Sequence, residues 1–174
     1  MYSARKENIA PIAFFVFNRP DHTLKTLKAL DANRDCYKKD LYIFCDAPRN
    51  TDEVKSTQKV KEIVESFSGF ENIHRIYQSK NKGLYKSITG GISQVLENHE
   101  TVIHLEDDIE VLPEFLTFMN EALVYYKDNP NVCSVSGDSL HKVSLPENYT
   151  EDGYFFYRSS SWGMGTWKKY WEEV

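Results

Sequence analysis

Short runs rich in β-branched and aromatic residues alternate along this chain with longer segments whose apolar residues recur at helical spacing. The first run, Ile12-Ala-Phe-Phe-Val-Phe17, has no polar position, and a strand without polar positions is buried on both faces, as in a parallel sheet. Asp21 can cap the segment that follows, where Leu24, Leu27 and Leu30 are spaced by three up to the break at Asp31-Ala-Asn33. Leu41 to Cys45 reads as a second strand. Thr51 or Asp52 then opens a helix whose Val60, Ile63, Val64 and Phe67 share one face, with Gly69 as its stop.

Ile73 to Tyr77 is the third predicted strand. After Asn81-Lys82-Gly83 a helix carries Leu84, Ile88, Ile92, Val95 and Leu96 on one face. Gly90 and Gly91 weaken it by about 1 kcal/mol each relative to alanine. They are explained either by close approach of a ligand to the backbone or by tight helix packing. Thr101 to Leu105 and Val132 to Ser136 are the fourth and fifth strands, separated by a helix with Pro113 as first residue that runs to about Asp128. Strands alternating with helices predict one α/β domain with a mainly parallel sheet flanked by helices. Ligands in such sheets bind at the carboxyl ends of the strands, where strand order reverses. That rule selects Asn18-Arg19, Asp46, Gln78 to Asn81 and Glu106-Asp107-Asp108.

Composition narrows the function classes. The chain has 174 residues, one domain's length, and its 24 aromatics supply ample core. Its longest apolar run, Ile9 to Phe17, is nine residues broken by Pro11, too short for a transmembrane segment. The run follows the basic Arg5-Lys6, but Asn18-Arg19-Pro20 stands where a signal peptide would have small residues for cleavage. Cys36, Cys45 and Cys133 are odd in number and lack metal-ligand spacing. A cytoplasmic setting, the inner face of the membrane included, fits these features. Net charge is −5 overall but +3 for residues 1–50, zero for 51–100 and −8 for 101–174. An acidic surface without a basic stripe argues against nucleic acid as a partner.

Three consecutive carboxylates after an apolar strand repel one another and require a positive partner if buried. Oxygen donors at this density suit Mg²⁺ or Mn²⁺, which take one or two carboxylates and complete their shell with water and substrate phosphates. A solvated turn before a helix N-terminus explains the same pattern, although the position at the end of a central strand favours the ion. Asp46 can accept a hydrogen bond from a base or ribose, or close a turn. Arg19 and Lys82 can face a diphosphate. The five histidines form no ligand pair, and His104, within an apolar strand, reads as a satisfied core residue. Gly-rich dinucleotide and P-loop motifs and a GxSxG nucleophile elbow are all missing.

Pro11 to Pro20, Leu41 to Pro48, Asn81 to Leu84, His104 to Glu110 and Ser161-Trp-Gly-Met-Gly-Thr-Trp167 together resemble bacterial family-2-like glycosyltransferases of the GT-A fold. The Glu-Asp-Asp triplet is similar to that of N-acetylglucosaminyltransferase I. This resemblance implies a nucleotide-sugar donor, with UDP-sugar first, and a hexosyl or N-acetylhexosaminyl transfer to a glycan or lipid-linked sugar acceptor with Mn²⁺ or Mg²⁺. It implies Asp108 as metal ligand, Glu106 and Asp107 at the ribose and metal-bound water, and Asp46 at the uracil. Asn18 and Arg19 would line the nucleotide pocket, with Lys82 near the diphosphate, and Trp162 with Gly163 would form a wall near the sugar or acceptor.

Family members show Trp-Gly-Trp-Ala-Thr-Trp where this chain has Met164-Gly165 at the middle positions, and they generally continue beyond the equivalent of Val174. Residues 1–174 are therefore expected to form a GT-A-like donor-binding domain cut short at its C-terminal end. Glu172 and Glu173 are the nearby candidates for the general base. A sugar nucleotidyltransferase, and a nucleotide-sugar-binding domain without its catalytic half, are the competing readings.

Overall fold

The computed structural model describes residues 9–33, 39–139, 143–151 and 153–173; Arg5, Lys6, Cys36 and His141 lie outside them. In chain order the elements are β1 (Ile12–Val16), α1 (Pro20–Asp31), β2 (Asp40–Cys45), a 3₁₀ turn (Thr51–Glu53), α2 (Val54–Ser66), β3 (Asn72–Tyr77) and α3 (Leu84–Leu96). They continue with β4 (Thr101–Glu106), α4 (Phe115–Tyr126), β5 (Ser134–Ser136), β6 (Met164–Trp167) and the short α5 (Lys168–Trp171). The sheet order is β3-β2-β1-β4-β6-β5. β1, β2, β3 and β4 are mutually parallel. β6 is antiparallel to both β4 and β5, so β5 points the same way as β4.

Strand alternation divides the core into two layers. Ile12, Phe14 and Val16 of β1 pack with Leu27 and Leu30 of α1, Val60 and Val64 of α2, and Leu116 and Met119 of α4. Ala13 and Phe15 face the other way, onto Ile92, Val95 and Leu96 of α3. A sheet covered on both faces explains the unbroken apolar runs of its central strands. Gly91 belongs to the packing reading: a Cβ there would lie 2.5 Å from Phe15 Cε1, so α3 can settle onto the aromatic layer only without a side chain.

Several predicted boundaries shift for local reasons. Pro20 takes the first helical position of α1, which leaves Asp21 in the first turn rather than at the cap. Asn50 caps the turn before α2, its Oδ1 accepting from the N–H groups of Asp52 (3.1 Å) and Glu53 (3.2 Å). Helix α4 begins at Phe115, two residues after Pro113. The unanticipated element is β6, which runs between β4 and β5.

Candidate functional site

Strand order reverses between β1 and β4, and the residues leaving those two strands meet in the crevice at their carboxyl ends. The Arg19 guanidinium forms an ion pair with Asp107 Oδ1 and donates from Nη1 to Asp108 Oδ2 at 2.8 Å. Thr26 Oγ1 on α1 donates to the Asp107 carbonyl at 2.9 Å, fixing the turn after β4 against the helix after β1. The positive partner required by the acidic run is thus a residue of the chain. Burial pushes the Asp107 carboxyl up, outweighing the opposing pull of Arg19. Glu106 is pushed up by burial first and by its two acidic neighbours second. Asp107 Oδ2 is buried with no hydrogen-bond partner among the described residues.

Asp46 at the end of β2 organises a second part of the crevice. Its Oδ1 accepts from the N–H groups of Ala47 and Lys82, both at 2.9 Å, and its Oδ2 from Gly83 N–H at 3.1 Å. Asn81 Nδ2 returns a bond to the Ala47 carbonyl at 2.7 Å. One carboxylate therefore clamps the Asn81-Lys82-Gly83 loop onto the strand end. Between this loop, β1 and α3 lies a cavity of about 180 Å³, bordered by Phe17, Arg19, Asp46, Ser87, Glu106 and Asp107. Asn18 is turned aside, its Nδ2 donating to Glu53 Oε1 at 3.3 Å, and Lys82 contributes its backbone N–H while its side chain is exposed.

A larger cavity of about 630 Å³ opens on the other side of Asp108, bordered by Glu110, Glu114, Phe118, Asp138 and Trp162 among others. Its far wall is stitched to the end of β5. Gly137 N–H donates to the Gly163 carbonyl at 2.8 Å, Ser136 Oγ to the Ser160 carbonyl at 2.9 Å, and Ser160 Oγ to Asp138 Oδ2 at 3.2 Å. Gly163 has φ +72°, and a Cβ there would stand 2.9 Å from the Phe115 ring. Only glycine lets Trp162 be presented at this rim. Asp138 was not selected from the sequence, although it lies two residues after the predicted strand Val132 to Ser136.

Two expectations are corrected. Because β6 is antiparallel, with Met164 opposite His104 and Trp167 opposite Thr101, it carries the chain away from the crevice. Lys168 N–H then bonds the Glu100 carbonyl at 2.9 Å, at the opposite end of the sheet. Glu172 and Glu173 follow there, so the fold places them after the end of β6 that lies away from the crevice rather than beside Asp108. His104 is a core residue but not a satisfied one. Neither ring nitrogen has a hydrogen-bond partner among the described residues, its ring meets Phe15 edge-on at 5.4 Å, and burial pushes its pKa down to about 4.

No group of three or more metal-ligating side chains is assembled among the described residues. The pair Asp107 and Asp108 nevertheless fits a hard divalent ion, since such ions use one or two carboxylates together with phosphate oxygens, and the buried Asp107 Oδ2 is a hard donor without a hydrogen-bond partner among the described residues.

No family model and no curated protein matches this sequence. Among solved structures, the chain is similar to S. aureus TarS 1-349 in complex with UDP, at 12% identity and TM-score 0.53, covering 88% of this chain and 46% of that one. It is also similar to the mannosyltransferase PcManGT from Pyrobaculum calidifontis in complex with GDP-Man and Mn²⁺ (16% identity, TM-score 0.49, 72% of this chain and 34% of that one). The third is 4-diphosphocytidyl-2C-methyl-D-erythritol synthase from Anaerococcus prevotii (16% identity, TM-score 0.49, 98% and 78%). The chain spans less than half the length of TarS 1-349 and of PcManGT. No family match supports the likeness of the acidic triplet to that of N-acetylglucosaminyltransferase I. With its mostly parallel six-stranded sheet between helical layers, the chain has the α/β fold of GT-A nucleotide-sugar transferases.

Proposed function

We propose that this domain binds a nucleotide-sugar donor, a UDP-sugar first among them, for metal-dependent glycosyl transfer to a hydroxyl of a glycan or lipid-linked sugar. The observation that carries this reading is the arrangement of Arg19, Asp107 and Asp108 at the strand-order reversal, with one cavity on each side. The nucleoside occupies the smaller cavity, where Asp46 and Glu106 offer acceptors to the base and the ribose. Its diphosphate extends toward Arg19 and Asp108, and the sugar points into the larger cavity toward Trp162.

Asp108, with Asp107 beside it, would hold the divalent ion, which when bound stabilises negative charge on the departing diphosphate. Arg19 supplies positive charge to the same region. It holds the two carboxylates of the free protein in place and has donors suited to phosphate oxygens. Asp46 orients the loop that closes the nucleoside cavity, and so acts on donor geometry even where it does not touch the base.

Thermal unfolding with a panel of nucleotides tests the reading, because a ligand of the folded state at 100 times its Kd adds about 2.7 kcal/mol of stability. A rise in Tm with UDP and UDP-sugars that requires Mn²⁺ or Mg²⁺ is expected. A larger rise with nucleoside triphosphates would instead identify a nucleotidyltransferase, and no response to any nucleotide would overturn donor binding.

A further inference from the structure

Arg19 is anchored at its backbone and bridges the acidic turn with its side chain. Its carbonyl accepts from Thr23 N–H at 3.0 Å and from Thr23 Oγ1 at 2.9 Å, which fixes the entry to α1. Asp107 is fixed as well, being 2% exposed with its carbonyl bonded by the Thr26 hydroxyl. Between these anchors the Arg19 side chain is the part free to move, 44% exposed, with its guanidinium spanning Asp107 Oδ1 and Asp108 Oδ2. The bridge stands at the seam of the two cavities, since Arg19 and Asp107 border the smaller one and Asp108 the larger. The same two carboxylates are the pair that fits a divalent ion. Asp107 Oδ2, buried and without a hydrogen-bond partner among the described residues, is acceptor capacity that the guanidinium leaves unused. An ion taking that oxygen would stand beside the guanidinium on the other oxygen of one carboxylate, and two cations at so short a separation repel strongly.

We infer that Arg19 is a displaceable counter-cation that controls metal binding: it neutralises Asp107 and Asp108 in the free protein, gives them up to a divalent ion, and moves onto the diphosphate of the donor. The inference rests on the metal-dependent donor reading and adds how its two ligands depend on each other. An ion binding alone must displace the guanidinium with no other anion to receive it. A diphosphate arriving with the ion offers oxygens that suit the planar guanidinium fork. Metal and nucleotide therefore bind cooperatively, and part of that cooperativity passes through Arg19. By linkage, UDP strengthens Mn²⁺ binding by the same factor as Mn²⁺ strengthens UDP binding, so the coupling is one measurable quantity.

The test compares wild type, Arg19→Gln and Arg19→Lys, with Tm as control for folding. Mn²⁺ binding without nucleotide is read from the paramagnetic resonance signal of the free ion, and UDP binding by calorimetry without Mn²⁺ and at saturating Mn²⁺. Arg19→Gln is expected to bind Mn²⁺ alone about tenfold or more tighter than wild type, because one positive charge beside the ion is gone. The factor by which Mn²⁺ strengthens UDP binding should fall by about the same amount. Arg19→Lys keeps the charge and should stay near wild type in its affinity for Mn²⁺ alone. An Arg19 that only held the carboxylates in place would give the opposite sign, since its loss would loosen them and weaken Mn²⁺ binding. Removing Arg19 also leaves the buried Asp107 without its cation, so the wild type provides a reading that needs no variant. With Mg²⁺ as the diamagnetic ion, the Arg19 Nε–Hε resonance should shift on adding Mg²⁺ and UDP together by more than the sum of the shifts with each alone.

Mn²⁺ bound no tighter by a folded Arg19→Gln than by wild type, an unchanged coupling factor in that variant, or strictly additive shifts of the Arg19 resonance would each overturn the inference while leaving Mn²⁺-dependent UDP binding by the wild type in place. UDP binding by the wild type that does not respond to Mn²⁺ would instead remove the donor reading, and the inference with it.

Discussion

His104 stands in the middle of β4 with an imidazole that must stay neutral to stay buried. In the unfolded chain it protonates near 6.5, whereas in the folded protein its pKa is pushed down to about 4. Between those values the unfolded state binds the extra proton, so stability falls as pH drops through that window. The predicted loss is on the order of 3 kcal/mol from this residue alone. His104→Phe removes two unbonded nitrogens and should flatten the acid limb of a urea-denaturation series from pH 7 to pH 4. A variant with the same acid limb as wild type would show that His104 finds a partner. Asp46 makes a second residue-scale test. Asp46→Ala should lower Tm by releasing the Asn81-Lys82-Gly83 loop, and should narrow the preference for UDP over CDP by about 1–3 kcal/mol, the range of a lost charged hydrogen bond. A lower Tm with an unchanged preference would confine Asp46 to anchoring the loop.

Helix α3 carries two adjacent glycines whose surroundings differ. At Gly91 a Cβ would meet Phe15 at 2.5 and 2.7 Å, whereas at Gly90 nothing lies within 4 Å. Gly91→Ala should destabilise the domain by about 1–3 kcal/mol through overpacking. Gly90→Ala should stabilise it by up to about 1 kcal/mol through helix propensity. Equal effects of the two substitutions, measured by denaturant midpoint, would contradict the packing described for α3. The four parallel strands were legible because burial on both faces, or alternation at the edge, leaves a run of apolar residues at period one or two. Strand β6 was not: Met164-Gly165-Thr166-Trp167 is short, and Gly165 replaces an apolar residue where Met119 and Leu123 of α4 press on the sheet. Its antiparallel direction depends on β4 and β5, distant in sequence. Only β6 shows that Glu172 and Glu173, the base candidates, follow the end of the sheet away from the crevice. The strand-end rule did find Arg19, Asp46, Asp107 and Asp108, but the bonds of Arg19 to both aspartates exist only once β1 and β4 are neighbours.

At the scale of the molecule, charge and topology coincide. The segment 101–174, with its net −8, supplies Asp108, Glu110, Glu114 and Asp138 to the border of the larger cavity, while the +3 segment 1–50 supplies Arg19 to the seam between the cavities. The parallel half of the sheet builds the smaller cavity, and the ends of β4 and β5 with the loop before β6 border the larger one. The two cavities thus share one edge, the turn after β4. That edge is where the central claim is most exposed to measurement: isothermal titration calorimetry of UDP with and without Mn²⁺, on wild type and Asp108→Ala. The account predicts that Mn²⁺ strengthens UDP binding to the wild type and that Asp108→Ala removes most of this gain while leaving Tm nearly unchanged. If Asp108→Ala bound UDP with Mn²⁺ as tightly as the wild type does, Asp108 would be a solvated turn residue and the metal-assisted donor site would be contradicted.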